Sequence, residues 1–180
     1  MKRVTLRYAQ LTVFAFGEAE TEKAFLKHIR ASYGRNTGLS VRVDCATGGA
    51  PQTIIDLAIR RSNGCFDRHF ILLDTDITWP DETVTKAKKN NHELIPANPC
   101  IEGFLLSLLE PGIDLSLLTS SQYKKMFEQK YLNEEEKLDY RNYEKILPKS
   151  KLEKLRKTNQ PLDTIICLMT EVKKRKPKDA

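Results

Sequence analysis

The chain has 180 residues, of which 40% are hydrophobic, and it carries a formal net charge of +6. This length and hydrophobic content are enough for one domain with a core, and they exclude a disordered chain. No segment approaches the roughly 18 consecutive apolar residues of a membrane span. The opening MKRVTLRYAQ lacks the apolar stretch and cleavage site of a secretory signal, so we expect a cytoplasmic protein outside any membrane. The basic character, with a pI near 9.1, suits a polyanionic partner.

Apolar strand-like segments alternate with helical segments through the first part of the chain. In chain order the pattern predicts strand 11–16, helix 18–34, strand 39–46, helix 51–64, strand 69–74, helix 81–91 and strand 93–97. Crossovers of this length indicate an α/β fold with a mainly parallel sheet flanked by helices. Pro96 suits a strand at the sheet edge or a strand end.

After Pro111 the sequence contains only helix-like segments, over 120–157 and 162–176. We therefore expect an α/β core over residues 1–110. A helical C-terminal third, residues 111–180, should pack on it and end in a basic tail from about residue 173.

Acidic residues follow two of the predicted strands. Glu18 lies two residues after the first strand, and Asp74 and Asp76 close the third. Ligand sites of parallel sheets lie beyond the carboxyl ends of the strands. Alternation along an extended chain places the two aspartates on one side, about 7 Å apart, a workable spacing for Mg²⁺. The three carboxylates meet if the first and third strands are neighbours; the alternative is that the aspartates cap the next helix or stabilise a turn.

The other acidic residues allow simpler interpretations. Glu20 and Glu22 fall in a first helical turn, where each is favoured by the helix dipole by about 0.3–1 kcal/mol, and this is the role we predict for them. In NPCIEGFLLSLL, Asn98 and Pro99 are predicted as the N-cap and first helical residue. Glu102 then lies in an apolar helix start, where it needs water or a partner unless it faces solvent.

Basic and cysteine residues complete the candidates. Basic residues that could contact nucleic acid cluster at Lys86, Lys88 and Lys89 and in the tail at Lys173, Lys174, Arg175 and Lys176; the alternative for both groups is a solvated surface. The four cysteines are far apart and three lie in or beside apolar runs. They are predicted to be reduced rather than paired or zinc-bound.

Several short segments resemble motifs of a known family. VFAFGEAETEKAFL is similar to the opening motif of Toprim domains, the topoisomerase-primase fold, especially of OLD-family nucleases, in which an apolar strand runs into Glu-Gly-x-Thr-Glu and a helix. Glu18 and the pair Thr21-Glu22 match that motif, and ILLDTD matches the Asp-x-Asp strand through Asp74 and Asp76. NPCIEGFLL resembles the Asn-Pro-Cys-Phe-Glu-x-Trp-Leu-Leu segment of the RloB-like family, small Toprim-related proteins of restriction and abortive-infection loci. TGGAPQTIIDLAI resembles its glycine-rich turn.

The resemblance covers roughly residues 11–109 and implies a Toprim-like core. It implies hydrolysis of phosphodiester bonds in nucleic acid, with Mg²⁺ or Mn²⁺ as cofactor and a role in defence against foreign DNA. DNA is favoured over RNA as the substrate, but the sequence does not decide between them. Asp74 and Asp76 would hold the metal, which neutralises phosphate charge. Glu18 would complete a second metal site or act as general base, and Glu102 would be an outer ligand or position water.

Two positions depart from the family pattern. Ala19 stands where glycine is usual, a difference that matters if that turn needs a positive φ. Family members often have a histidine after the last Leu-Leu, where this chain has Ser107. Two other functions therefore stay open: a nucleic-acid-binding module that works beside a partner ATPase without turnover, and a phosphatase or nucleotide hydrolase that uses the same metal chemistry.

Overall fold

The computed structural model describes residues 11–34 and 38–171. The α/β half comprises β1 (Leu11–Gly17), α1 (Glu20–Tyr33), β2 (Leu39–Cys45), α2 (Pro51–Ser62), β3 (Arg68–Asp74), α3 (Asp81–Lys89), β4 (His92–Ala97) and α4 (Ile101–Leu109). The helical part comprises α5 (Ser120–Lys130), 3₁₀ turns at Glu136–Leu138 and Tyr140–Asn142, α6 (Tyr143–Ile146), α7 (Lys149–Leu155) and α8 (Gln160–Thr170). No helix within this part of the chain is long and apolar enough to cross a bilayer.

The four strands form one parallel sheet in the order β2-β1-β3-β4. The predicted α/β class is therefore confirmed, as is the edge position of the strand that contains Pro96. The central strands β1 and β3 are apolar almost throughout because both of their faces are covered by helices.

Each face of the sheet has its own apolar core. The smaller core packs α2 and α3 against side chains such as Phe14, Phe16 and Ile71. The larger core joins the opposite face to α1, α4 and the helical part, whose Tyr123, Phe127 and Ile165 are fully buried. The helical part thus shares a core with the sheet.

The segment before α4 differs from the sequence prediction. Asn98 and Pro99 were predicted as the helix start, but α4 begins at Ile101 with Cys100 in the N-cap position, so that prediction is wrong. The Pro99 carbonyl accepts hydrogen bonds from the backbone amides of Thr75 and Asp76, both at 2.9 Å. These contacts hold the segment against the end of β3, and the helix can start only after it.

A stacked histidine pair lies at the opposite end of the sheet and predicts acid sensitivity. The rings of His69 and His92, on neighbouring strands, have centroids 4.7 Å apart and both side chains are buried. Burial lowers the pKa of each imidazole. The Asn91 backbone and then Asp67 oppose the shift of His69, while the Asn90 carbonyl opposes that of His92 and the neighbouring His69 adds to it. As the pH falls through about 6.5 the unfolded chain therefore binds protons that the folded state excludes. Each histidine should reduce the free energy of unfolding by up to about 1.4 kcal/mol per pH unit.

Urea unfolding at neutral and mildly acidic pH measures this loss. His92→Phe removes one of the titrating groups and keeps the ring packing, so its stability should fall less steeply with acid than that of the wild type. An identical acid slope in the two proteins would contradict the assignment.

Candidate carboxylate site

The adjacency of β1 and β3 brings their carboxyl ends together. Gly17 pairs with Leu72 in the register of the two strands, so the residues that follow each strand meet at one edge of the sheet. The Glu18 carboxylate accepts a hydrogen bond of 3.2 Å from the backbone amide of Asp74. The prediction that the first and third strands are neighbours is confirmed.

The turn from β1 into α1 is tight, and it places Glu22 in this site. A Cβ atom on Gly17 would lie 2.6 Å from the Cβ of Glu22, so the close approach requires glycine. Ala19 has φ −144° and ψ −168°, an extended conformation open to any residue, so an alanine at the place of the glycine in the Toprim motif causes no strain. Glu22 is only 2% exposed, and its carboxylate accepts a 2.8 Å hydrogen bond from the Ala19 amide.

The two neighbouring glutamates of α1 therefore differ. Glu20 is exposed and pairs with Lys23 at 2.9 Å, which agrees with a residue of the first helical turn. Glu22 does serve the start of the helix, because its carboxylate accepts the amide of the N-cap residue Ala19, but it does more than was predicted, since it is buried and lies near Glu102 and Glu18. Its burial could have been anticipated only from the Thr-Glu pair of the motif.

Asp74 and Asp76 point into different surroundings. Asp74 is half-buried, and its Oδ1 atom is buried without a hydrogen-bond partner. Asp76 is exposed, and its Oδ2 atom accepts a 2.7 Å hydrogen bond from Ser120 at the start of α5. Neither aspartate caps α3, whose N-cap position is Pro80. The helical part thus contributes a hydroxyl group to the site, which the sequence did not indicate.

Glu102 has the partner that its apolar surroundings require. Its side chain is 1% exposed, and its Oε1 atom lies 2.9 Å from the Lys137 ammonium nitrogen. Lys137 also contacts Glu128 at 2.6 Å. The solvent-facing alternative for Glu102 is therefore excluded. Nothing in the charged run that contains Lys137 marks it as the residue that turns inward.

Mutual repulsion and burial raise the pKa values of these acids. Burial, followed by the charges of Glu22, Glu18, Asp76 and Glu102, raises the pKa of Asp74 to about 9. Burial likewise raises the pKa of Glu22 to about 7, helped by Glu102 and Glu18. The pKa of Glu18 is also raised, mainly by burial and then by Asp76, while the Asp74 amide and Lys124 oppose the shift. The cluster therefore favours protons or another cation over free negative charge.

The donor atoms fit a hard divalent cation in their chemistry. All are carboxylate oxygens, the ligands that Mg²⁺ prefers, and two buried ones, Asp74 Oδ1 and Glu102 Oε2, have no hydrogen-bond partner. No group of three or more His, Cys, Asp or Glu side chains within residues 11–34 and 38–171 is arranged to hold a metal ion. A bound cation would therefore need these carboxylates to turn toward it.

The predicted basic residues lie away from this site where they can be located. Lys86 pairs with Asp56 at 2.6 Å. Lys88 and Lys89 are exposed at the end of α3, just before β4 begins. They therefore lie near the end of the sheet where the strands start, opposite the end that carries the carboxylates. Lys173, Lys174, Arg175 and Lys176 fall outside the described residues. Lys124 of α5, which was not predicted, is near enough to Glu18 to lower its pKa.

Comparisons with protein-family models, with curated proteins and with solved structures found no match. The carboxylate cluster and the short motifs quoted above are therefore the features of this chain that indicate a function.

Proposed function

We propose that this protein is a divalent-metal-dependent nuclease of the Toprim type. It hydrolyses phosphodiester bonds in nucleic acid, DNA in preference to RNA, in defence against foreign DNA. The observation that carries the proposal is the convergence of Glu18, Asp74 and Asp76 at the carboxyl ends of two adjacent strands, with the pKa of Asp74 raised by burial and then by its acidic neighbours. Clustered acids with raised pKa values are typical of functional sites.

Each acid has a part in this chemistry that its surroundings support. Asp74 and Asp76, with Glu18 beside them, would hold Mg²⁺ or Mn²⁺, which when bound neutralises phosphate charge and stabilises the leaving oxygen. The raised pKa of Glu18, due first to burial, suits a general base that takes a proton from the attacking water. Glu102, whose charge is paired with Lys137, is near enough to Asp74 to raise its pKa and would position water or the other acids.

A second candidate is a binding module that retains the Toprim shell without turnover and works beside a partner ATPase. The observation that favours it is the absence of a preformed three-ligand group in the described part of the chain. The Lys137 ammonium also already neutralises one acid of the cluster. A protein of this kind would bind nucleic acid but would cut none.

Incubation with supercoiled DNA, linear DNA and RNA separates the two candidates. With Mg²⁺ or Mn²⁺ the wild type should cut at least one substrate, and EDTA should stop the reaction. Glu18→Gln keeps the size of the side chain and removes its basicity, so it should lose cleavage. Binding without cleavage in either metal, even with a partner ATPase supplied, would replace the nuclease with the binding module.

The basic tail provides a separate prediction about affinity. Deleting residues 173–178 should weaken nucleic-acid binding and flatten its salt dependence, because each neutralised phosphate contributes about −0.9 to the slope of log K against log salt on duplex DNA. Fluorescence anisotropy over a salt series measures both effects. Unchanged affinity and slope would mean that the tail is a solvated surface.

A further inference from the structure

Helix α5 presents one row of side chains to the carboxylate site. The row consists of three residues that are four positions apart and therefore lie along one face of the helix, over about 12 Å: Ser120, Lys124 and Glu128. At one end the Ser120 hydroxyl donates its 2.7 Å hydrogen bond to Asp76. At the other end Glu128 contacts Lys137, which in turn contacts Glu102. Both ends of the row thus meet an acid of the cluster, directly or through one side chain.

Lys124, in the middle of the row, is the basic residue that a ligand can reach. Its side chain is exposed, and its ammonium group is near enough to Glu18 to lower the pKa of that acid. In the part of the chain that the structure describes, however, Lys124 forms no ion pair or hydrogen bond. Lys137, by contrast, is buried and already held between two acids. The positive charge of Lys124 therefore remains available beside the carboxylates.

We propose that Lys124 binds the phosphate group of the substrate, at an oxygen next to the one that the divalent cation holds. The helical part would then supply a substrate contact of its own, outside residues 11–109, to which the family resemblance is confined. The inference rests on the proposed function, because the phosphate is placed by a cation at Asp74 and Asp76.

The charge of a phosphodiester explains why the site needs this residue. A phosphodiester carries its negative charge on two non-bridging oxygens. When a cation at the aspartates holds one of them, the other remains near carboxylates that repel it. A lysine ammonium is a compact positive charge that binds phosphate without a fixed geometry. Lys124 can therefore offset the repulsion from the exposed side of the cluster.

The next residue of α5 provides a matched control. Lys125 has the same charge and is also exposed, but one position along a helix turns it by about 100°. It belongs to the row that contains Ser121 and Gln129, both of which are exposed. Lys125→Met and Lys124→Met thus change the net charge equally and differ in the face of the helix that loses it.

Fluorescence anisotropy over a salt series tests the contact without cleavage. The full-length protein binds a short labelled duplex, or a single strand of equal length, with Ca²⁺ in excess in place of Mg²⁺. Lys124→Met should weaken binding about fivefold near 0.15 M salt. It should also flatten the slope of log K against log salt by about 0.9 on duplex and about 0.7 on the single strand, the contribution of one phosphate contact. Lys124→Arg should restore most of the affinity, and Lys125→Met should keep the wild-type slope.

Binding in EDTA locates the contact. Without a cation the acids repel a phosphate, so the difference between Lys124→Met and the wild type should largely disappear. A difference that is as large in EDTA as in Ca²⁺ would place the contact elsewhere and overturn the inference. A Lys124→Met slope equal to that of Lys125→Met would overturn it as well.

The outcome is separable from that of the proposed function. A flattened slope in Lys124→Met without any cleavage by the wild type in Mg²⁺ or Mn²⁺ would keep the phosphate contact and reject the nuclease. Cleavage by the wild type together with an unchanged slope in Lys124→Met would keep the nuclease and reject the contact. A wild type that binds no nucleic acid with either metal would reject both.

Discussion

Asp74→Asn is expected to abolish metal-dependent cleavage and at the same time to make the metal-free protein more stable at neutral pH. The substitution removes a ligand oxygen with its charge, so the divalent cation loses its site. It also removes a half-buried acid whose ionisation is opposed by burial and by four other acids. Loss of activity with a gain of stability is the signature of a functional cluster held against repulsion.

The pH dependence of this gain follows from the raised pKa. The pKa of Asp74 is about 9 in the folded protein, against an ordinary value of 3.8. Below the ordinary value both states are protonated and the aspartate costs nothing. As the pH rises toward the folded value, the unfolded chain ionises first, and stability falls by at most about 1.4 kcal/mol per pH unit. The advantage of asparagine should therefore grow from about pH 4 upward.

Thermal unfolding in EDTA and in Mg²⁺ measures both effects, with roughly 2–4 °C expected per kcal/mol for a chain of this size. Mg²⁺ should raise the melting temperature of the wild type by binding the folded state and should leave that of Asp74→Asn unchanged. Asp81→Asn, at an exposed position of α3, is the control and should keep the wild-type response to metal. A melting temperature that falls in metal-free Asp74→Asn, or a wild type indifferent to Mg²⁺ and Mn²⁺, would contradict the cation site.

The sequence predicted those parts of the site that depend on local pattern. Glu18 and Asp74 could be placed because each follows an apolar segment that is buried on both sides, and parallel strands end at a common edge. The order of strands was the one assumption needed, and the pairing of β1 with β3 agrees with it. Their contact then follows from chain geometry alone.

The parts that failed depend on contacts between distant segments. The start of α4 was misplaced because Pro99 is engaged by the end of β3, which no local propensity encodes. Glu22 was assigned to the helix dipole because first-turn glutamates normally face solvent, whereas Gly17 lets this one lie against the strand. Ser120 and Lys137 reach the site from the helical part across separations that composition and periodicity cannot reveal.

The contribution of the helical part is consequently electrostatic as well as apolar. Lys137 lies in the short 3₁₀ turn Glu136–Leu138, and its carbonyl oxygen accepts a 2.9 Å hydrogen bond from the buried hydroxyl of Tyr143. Burial opposes its charge, but the hydrogen bonds to Glu128 and Glu102 hold the pKa of the ammonium above its ordinary value. The ammonium is therefore charged at neutral pH, directly against the buried Glu102.

Lys137→Met is expected to destabilise the protein by about 3–5 kcal/mol, because it leaves the carboxylate of Glu102 buried without a counter-charge. Urea unfolding measures the loss. Lys130→Met is the matched control: Lys130 forms an exposed pair with Glu110 at 2.8 Å, and the loss of such a pair costs about 0–1 kcal/mol.

The double variant Lys137→Met/Glu102→Gln distinguishes charge from packing. It removes both buried charges, and replacing a whole buried pair is often close to neutral, so most of the lost stability should return. If the single variant loses no more free energy of unfolding than Lys130→Met, then the contact between Lys137 and Glu102 does not stabilise the packing of the helical part on the sheet. If instead the double variant stays as unstable as the single one, the aliphatic stem of Lys137 and its turn carry the stability, and the buried charge pair does not.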